Sequence, residues 1–184
     1  MRTDTGQVVN LEDYQPTDFV IERVDLTFDL DPRATKVEAR LIFHRREGVP
    51  ADAPLRLDGD GLTLAALLID QGEIPPEQYC ATADALAIRG LPESAPFELC
   101  INTVVDPEAN TQLMGLYRTG GIYCTQCEAE GFRRITYFPD RPDVLAPLHG
   151  QHHRRQTGQS AAAFQRQLSR RCRLRRREAF RRLV

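Results

Sequence analysis

The 184-residue chain has no tryptophan, two methionines and a single lysine, Lys36, against 23 arginines. The near-absence of lysine points to a GC-rich coding sequence, because the common arginine codons are rich in G and C and the lysine codons are not. Histidine is scarce as well: the four are His44, His149, His152 and His153, and none is followed by glutamate. That excludes an H-E-x-x-H helix, in which two histidines one turn apart hold zinc and the glutamate activates water. No apolar run approaches membrane-spanning length. The opening MRTDTGQVVNLEDY is polar and acidic, unlike a signal peptide. The five cysteines are an odd number in a chain long enough to build a core without staples, which reads as reduced thiols in a cytoplasmic protein.

A net charge of −2 hides a split. Residues 151–184 hold eleven arginines and one acid, Glu178, for +10, which leaves −12 on the rest of the chain. The texture changes after Ala146 to Arg, Gln, Ser, Ala and Leu, so the chain divides into a domain, 1–146, and a basic tail, 147–184. From Ala161 the tail has the composition of an Arg-rich helix, or it is disordered. It supports weak, non-specific attraction to nucleic acid by counterion release. It lacks the aromatics that would read bases. A small β-domain that binds nucleic acid through this tail is the alternative function.

Residues 1–18 read as an extended lead-in. Val24, Leu26, Phe28 and Leu30 then alternate with polar residues, and so do Val37, Ala39, Leu41 and Phe43 beyond the turn at Asp31-Pro32-Arg33. Period-two alternation across a short turn predicts an antiparallel hairpin. Further short strands are expected at Leu55–Leu57, Leu62–Ile69, Ala85–Ile88 and Phe97–Val104, separated by turns such as Asp58-Gly59-Asp60-Gly61 and Gly90-Leu91-Pro92. The fold class is mainly β, an antiparallel sandwich or saddle. No helix is expected before residue 140, and a short one is expected near Asp143.

The chemistry concentrates in Cys124–Leu145, CTQCEAEGFRRITYFPDRPDVL. Gly131 and the prolines Pro139 and Pro142 break any long helix there, so the segment reads as a loop that presents polar groups. On the residues alone, Gln126 and Glu128 read as a solvated acidic turn. Glu130 reads as a structural acid, and Tyr137 and Phe138 as core. Arg133, Arg134, Asp140, Arg141 and Asp143 read as a salt-bridged loop. Cys124 and Cys127 form a C-x-x-C with no second ligand pair for zinc and no βαβ context for redox work, so they read as two buried thiols.

The run NTQLMGLYRTGGIYCTQCEAEGFRRITYFPDRPDVLA resembles the corresponding segment of bacterial aminopeptidase N, a gluzincin zinc metallopeptidase family. DYQPTDFVIERVDLTFDLDPRATKVEARLIF resembles the start of that family's N-terminal domain. The resemblance covers roughly Asp13–Ala146. It implies a saddle-shaped β N-terminal domain and, in a full enzyme, removal of N-terminal amino acids with a zinc cofactor held by a separate catalytic domain. It also implies that Gln126 and Glu128 bind the free α-amino group of a peptide, so the peptide N-terminus and the catalytic domain are the expected partners. The family's G-A-M-E-N and H-E-x-x-H do not occur here. These residues are therefore expected to be a fragment that binds no metal, carries no catalytic residue and is inactive alone. The family continues after RPDVLA with a strand like RFTVNITADK. Codons for PLHGQHHRRQ, shifted forward by one base, can spell that string at all ten positions, so residues 147–184 are expected to be out-of-frame.

Overall fold

The computed structural model describes Glu12, residues 14–93 and residues 96–154, with side chains to residue 151. Eleven strands are present among them. β1 (Phe19–Leu30), β2 (Thr35–Arg45), β8 (Phe97–Val105), β4 (Thr63–Ile69) and β5 (Gly72–Glu73) build a sheet in the order β11-β1-β2-β8-β4-β5, with β11 at Leu148–Arg154. A three-stranded sheet has the order β3-β7-β6, from Leu55–Asp58, Ala85–Ile88 and Tyr79–Ala81. β9 (Gly115–Thr119) and β10 (Ile122–Gln126) form a separate hairpin. Every pairing is antiparallel except β1 with β11. The mainly β, antiparallel-dominated architecture is the one expected from the alternation.

That alternation works through burial. Val37, Ala39, Leu41 and Phe43 of β2 are almost fully enclosed, while the residues between them face the other side of the sheet. In β1 the buried set changes phase: Phe19 and Ile21 are buried, and then Val24, Leu26 and Phe28. An irregularity in the β1–β2 register between Ile21 and Arg23 accounts for it, because one extra residue on one strand switches the face of all that follow. The core joins these residues to Leu55, Leu57, Leu86 and Ile88 of the small sheet in one cluster. Phe97 anchors its end, stacked on Phe43 at 5.9 Å and edge-on to Phe19 at 6.1 Å.

Two expectations shift, and one strand lies in the stretch read as the tail. β1 starts at Phe19, ahead of the alternating run. No helix forms near Asp143; residues 142–143 make a turn, and irregular chain leads from there into β11. β11 lies beyond Ala146: it runs parallel to β1, with Val24 N–H bonded to the Pro147 carbonyl at 3.0 Å. The Arg-rich helix expected from Ala161 and the lead-in before Glu12 lie outside the described residues.

Candidate functional site

The β9–β10 hairpin delivers the site. Its last pair is Gln126 opposite Gly115. Beyond Gln126 the chain turns back on itself, and Gly131 N–H bonds the Cys127 carbonyl at 2.9 Å. Only glycine fits at 131: a Cβ there would stand 2.5 Å from the Gln126 carbonyl oxygen and 2.8 Å from Cys127 Cα, both backbone. Gly115 packs under the same turn with φ +70°, and its missing Cβ leaves room for the Gly131 carbonyl and the Arg134 side chain. The Glu128–Ala129 peptide in this turn is cis.

Gln126 and Glu128 are both exposed. The Gln126 amide nitrogen donates to the Glu128 backbone carbonyl at 3.3 Å. The Glu128 carboxylate has no hydrogen-bond or ion-pair partner among the described residues. Cys127 between them is half-buried, and burial followed by the Asp140 carboxylate pushes its thiol pKa up, which favours the protonated, unreactive form. Cys124 lies in β10 opposite Tyr117, and both cysteines are free thiols.

Behind the turn, a short 3-10 segment at Phe132–Arg134 aims two arginines at acids. Arg133 binds Asp140 through its backbone N–H (3.0 Å) and its Nε (3.1 Å), and donates to the Asp140 carbonyl at 2.7 Å. It also reaches Glu130 at 3.3 Å and Asp58 at 3.9 Å. Arg134 bonds Asp60 at 2.5 Å and Gln112 at 2.6 Å. Asp58 accepts from Asp140 N–H at 3.1 Å and exchanges backbone bonds with Phe138. Tyr137 and Phe138 are buried; the Tyr137 hydroxyl donates to the Thr82 carbonyl, and Phe138 packs on Phe132 at 4.5 Å. Further along, Arg141 pairs with Asp143 at 3.0 Å, and Asp143 accepts from the Tyr14 hydroxyl at 2.8 Å. That hydroxyl and then Arg141 hold the Asp143 carboxyl below the ordinary range.

The structure thus brings Arg133, Asp140 and Glu130 together and places Arg141 with Asp143 in a second cluster. Arg134 takes its partners from far away in sequence. Asp58, Asp60 and Gln112 are absent from the sequence reading of the site. The available signal was Asp58-Gly59-Asp60-Gly61, two acids in a turn that match the adjacent arginines 133 and 134 in number and in charge. A cavity of about 300 Å³ lies between residues 15–19, Pro54–Arg56, Asp58, Pro139 and Arg141, and neither Gln126 nor Glu128 lines it. No group of three or more His, Cys, Asp or Glu among the described residues could hold a metal ion. No helix among them is long and apolar enough to cross a membrane.

No protein-family model matches the chain. It is 49% identical over 146 residues to aminopeptidase N of Caulobacter vibrioides, a match covering 79% of this chain and 16% of that relative. It is 46% identical over 144 residues to aminopeptidase N of Escherichia coli, covering 78% of this chain and 16% of that relative. The chain therefore spans about one-sixth of the length of these relatives. Among solved structures it is similar to Legionella pneumophila aminopeptidase A in complex with aspartic acid. The TM-score is 0.71 with 34% identity, over 78% of this chain and 17% of that one. An M1 zinc metallopeptidase from Deinococcus radiodurans, a mutant bound to a Tyr-Ser-Ala substrate, shares the fold at TM-score 0.61 and 17% identity, over 74% of this chain and 33% of that one.

Proposed function

The chain belongs to the aminopeptidase N family over most of its length, and we propose that its role is to hold the free α-amino group of a peptide through Glu128 and Gln126. One observation carries the reading. Glu128 is an exposed carboxylate with no partner among the described residues, set in a turn whose other charges are paired. A protonated amine needs acceptors, and a carboxylate is the strongest that a protein offers. Gln126 donates its amide nitrogen to the Glu128 carbonyl, and its amide oxygen is the second acceptor in this reading. Fixing the amine sets the register of the peptide, so the bond next to the first residue is the one presented for cleavage in an enzyme that carries this domain.

Zinc belongs to the family's M1 members, and the residues described here do not fit it: no three potential ligands converge. No hydrolytic step is derived from them, and the catalytic groups are assigned to a partner domain. Cytoplasmic residence is part of the same reading. Residues 147–184 are read as out-of-frame sequence whose arginines attract nucleic acid weakly. Sequencing the gene tests that: if the shifted frame after codon 146 does not encode G-A-M-E-N and H-E-x-x-H, the reading of the tail fails.

The binding test uses the 184-residue chain and L-alaninamide, followed by NMR shifts of residues 124–131. The amide should bind, N-acetyl-L-alaninamide should not, and Glu128→Gln should weaken binding by about tenfold or more. Equal binding of both probes, or an unaffected Glu128→Gln variant, ends the proposal. With Zn²⁺ and an alanyl chromogenic substrate, the chain should show no turnover; activity that survives repeated purification would refute its inactivity alone.

A further inference from the structure

Four acids lie between Cys124 and Asp143. Glu130 and Asp140 pair with Arg133, Asp143 pairs with Arg141, and Glu128 has no partner among the described residues. This division is not given by charge alone, because an arginine with five donors takes whichever carboxylate it reaches. Arg133 already reaches back to Glu130, two residues beyond Glu128, at 3.3 Å. What holds it elsewhere is Asp140, which is only 6% exposed and accepts from both the backbone N–H and the Nε of Arg133.

The geometry points to Asp140 as a positioning residue that acts through Arg133: by occupying this guanidinium it keeps the cation off Glu128, leaving that carboxylate open to an incoming ammonium group. The inference rests on the reading of Glu128 as an amine anchor. It adds how the chain keeps such an anchor unneutralised beside two arginines. An internal cation that paired with Glu128 would compete with the ligand directly and persistently, because it is tethered at high effective concentration.

The test is a double-mutant cycle on the 184-residue chain, with L-alaninamide as probe and NMR shifts of the turn as readout. Asp140→Asn should weaken binding by about tenfold, the equivalent of one new opposing ion pair. Adding Arg133→Gln should bring affinity back to within about twofold of the starting chain, since the released cation is then gone. A purely structural role for Asp140 predicts the opposite, because removing a second member of the network repairs no fold. Glu130→Gln is the milder variant should Asp140→Asn unfold, its side chain being 61% exposed; about twofold weakening, relieved by Arg133→Gln, is expected. Unchanged affinity in both acid variants, or a double variant as weak as its parent, overturns the inference. If Glu128→Gln binds like the starting chain, the amine-anchor reading falls and this inference with it. If Glu128→Gln loses binding while both acid variants keep it, only the role of Asp140 falls.

Discussion

The six-stranded sheet and the Cys124–Asp140 segment solve opposite problems. In the sheet, side chains of β1, β2 and β8 bury an apolar face, and the identity of any one matters less than its phase. In the segment, the arginines and glycine are fitted one to one while Glu128 is left open: Gly131 against the Gln126 carbonyl, Arg133 with Asp140, Arg134 with Asp60. Phase is a local, repeating property and tolerates substitution of one apolar residue for another. Partnership is specific and fails when one member changes. The sheet thus rests on phase and the turn around Glu128 on individual fits, and the two meet within one segment, where Ile135, Tyr137 and Phe138 enter the core and Phe138 exchanges backbone bonds with Asp58 of β3.

Four predictions bear on this contrast. Phe43→Ala removes a ring with no exposed surface that stacks on Phe97. It should cost about 3–5 kcal/mol in urea denaturation, and a loss under 1 kcal/mol would mean the sheet is not the source of stability. Gly131→Ala forces a methyl group against two backbone atoms. A loss of about 1–3 kcal/mol is expected, together with displaced amide shifts confined to residues 115 and 126–134; shifts spread through β2 would join the two regions that are here held apart.

The third prediction concerns the Tyr14–Asp143–Arg141 latch. Asp143 titrates below its ordinary 3.8, chiefly through the Tyr14 hydroxyl bond. A depressed carboxyl stabilises the fold above its unfolded value, and that contribution disappears as pH falls through the folded value. Tyr14 is raised above 10.0 by the same bond, so its share is present at lower pH and lost as pH rises through the folded value. Asp143→Asn should therefore flatten the acid limb of the thermal stability profile by a small amount, since the latch lies at the surface. An acid limb that is unchanged in this variant would show that the latch contributes nothing. The smallest expected effect is none: Glu128→Gln should leave the midpoint of denaturation within about 0.5 kcal/mol of the starting chain. A larger loss would make Glu128 part of the framework and remove its availability to a ligand.

The long strands were legible because their alternation is local. β1, β2, β3, β7 and β8 follow from runs of Val, Leu, Ile and Phe at every second position. β5 and β6 were not, since two or three residues, Gly72–Glu73 and Tyr79–Ala81, are too few to show a period. β9 and β10 are missing from the strands expected from alternation, although Gly120 and Gly121, both at positive φ, form the turn of a hairpin. The site was half legible. Gln126 and Glu128 came from family resemblance, and charge composition suggested paired arginines. Asp58 and Asp60 stayed hidden because they meet Arg133 and Arg134 more than seventy positions away, and nothing in local sequence states which distant turn a guanidinium will find.

One pairing fixes when the outer edge of β1 becomes covered. β11 sets Leu148 beside Val24, 124 positions earlier, at the rim of a sheet whose other ladders join strands closer in sequence. During synthesis β1 can close onto β2 almost at once, but its outer ladder stays open until residues 148–154, in the stretch past Ala146 proposed to be out-of-frame, have emerged from the ribosome. For that interval the nascent chain carries an uncapped template for any other extended peptide, and crowding on a polysome supplies such peptides in quantity.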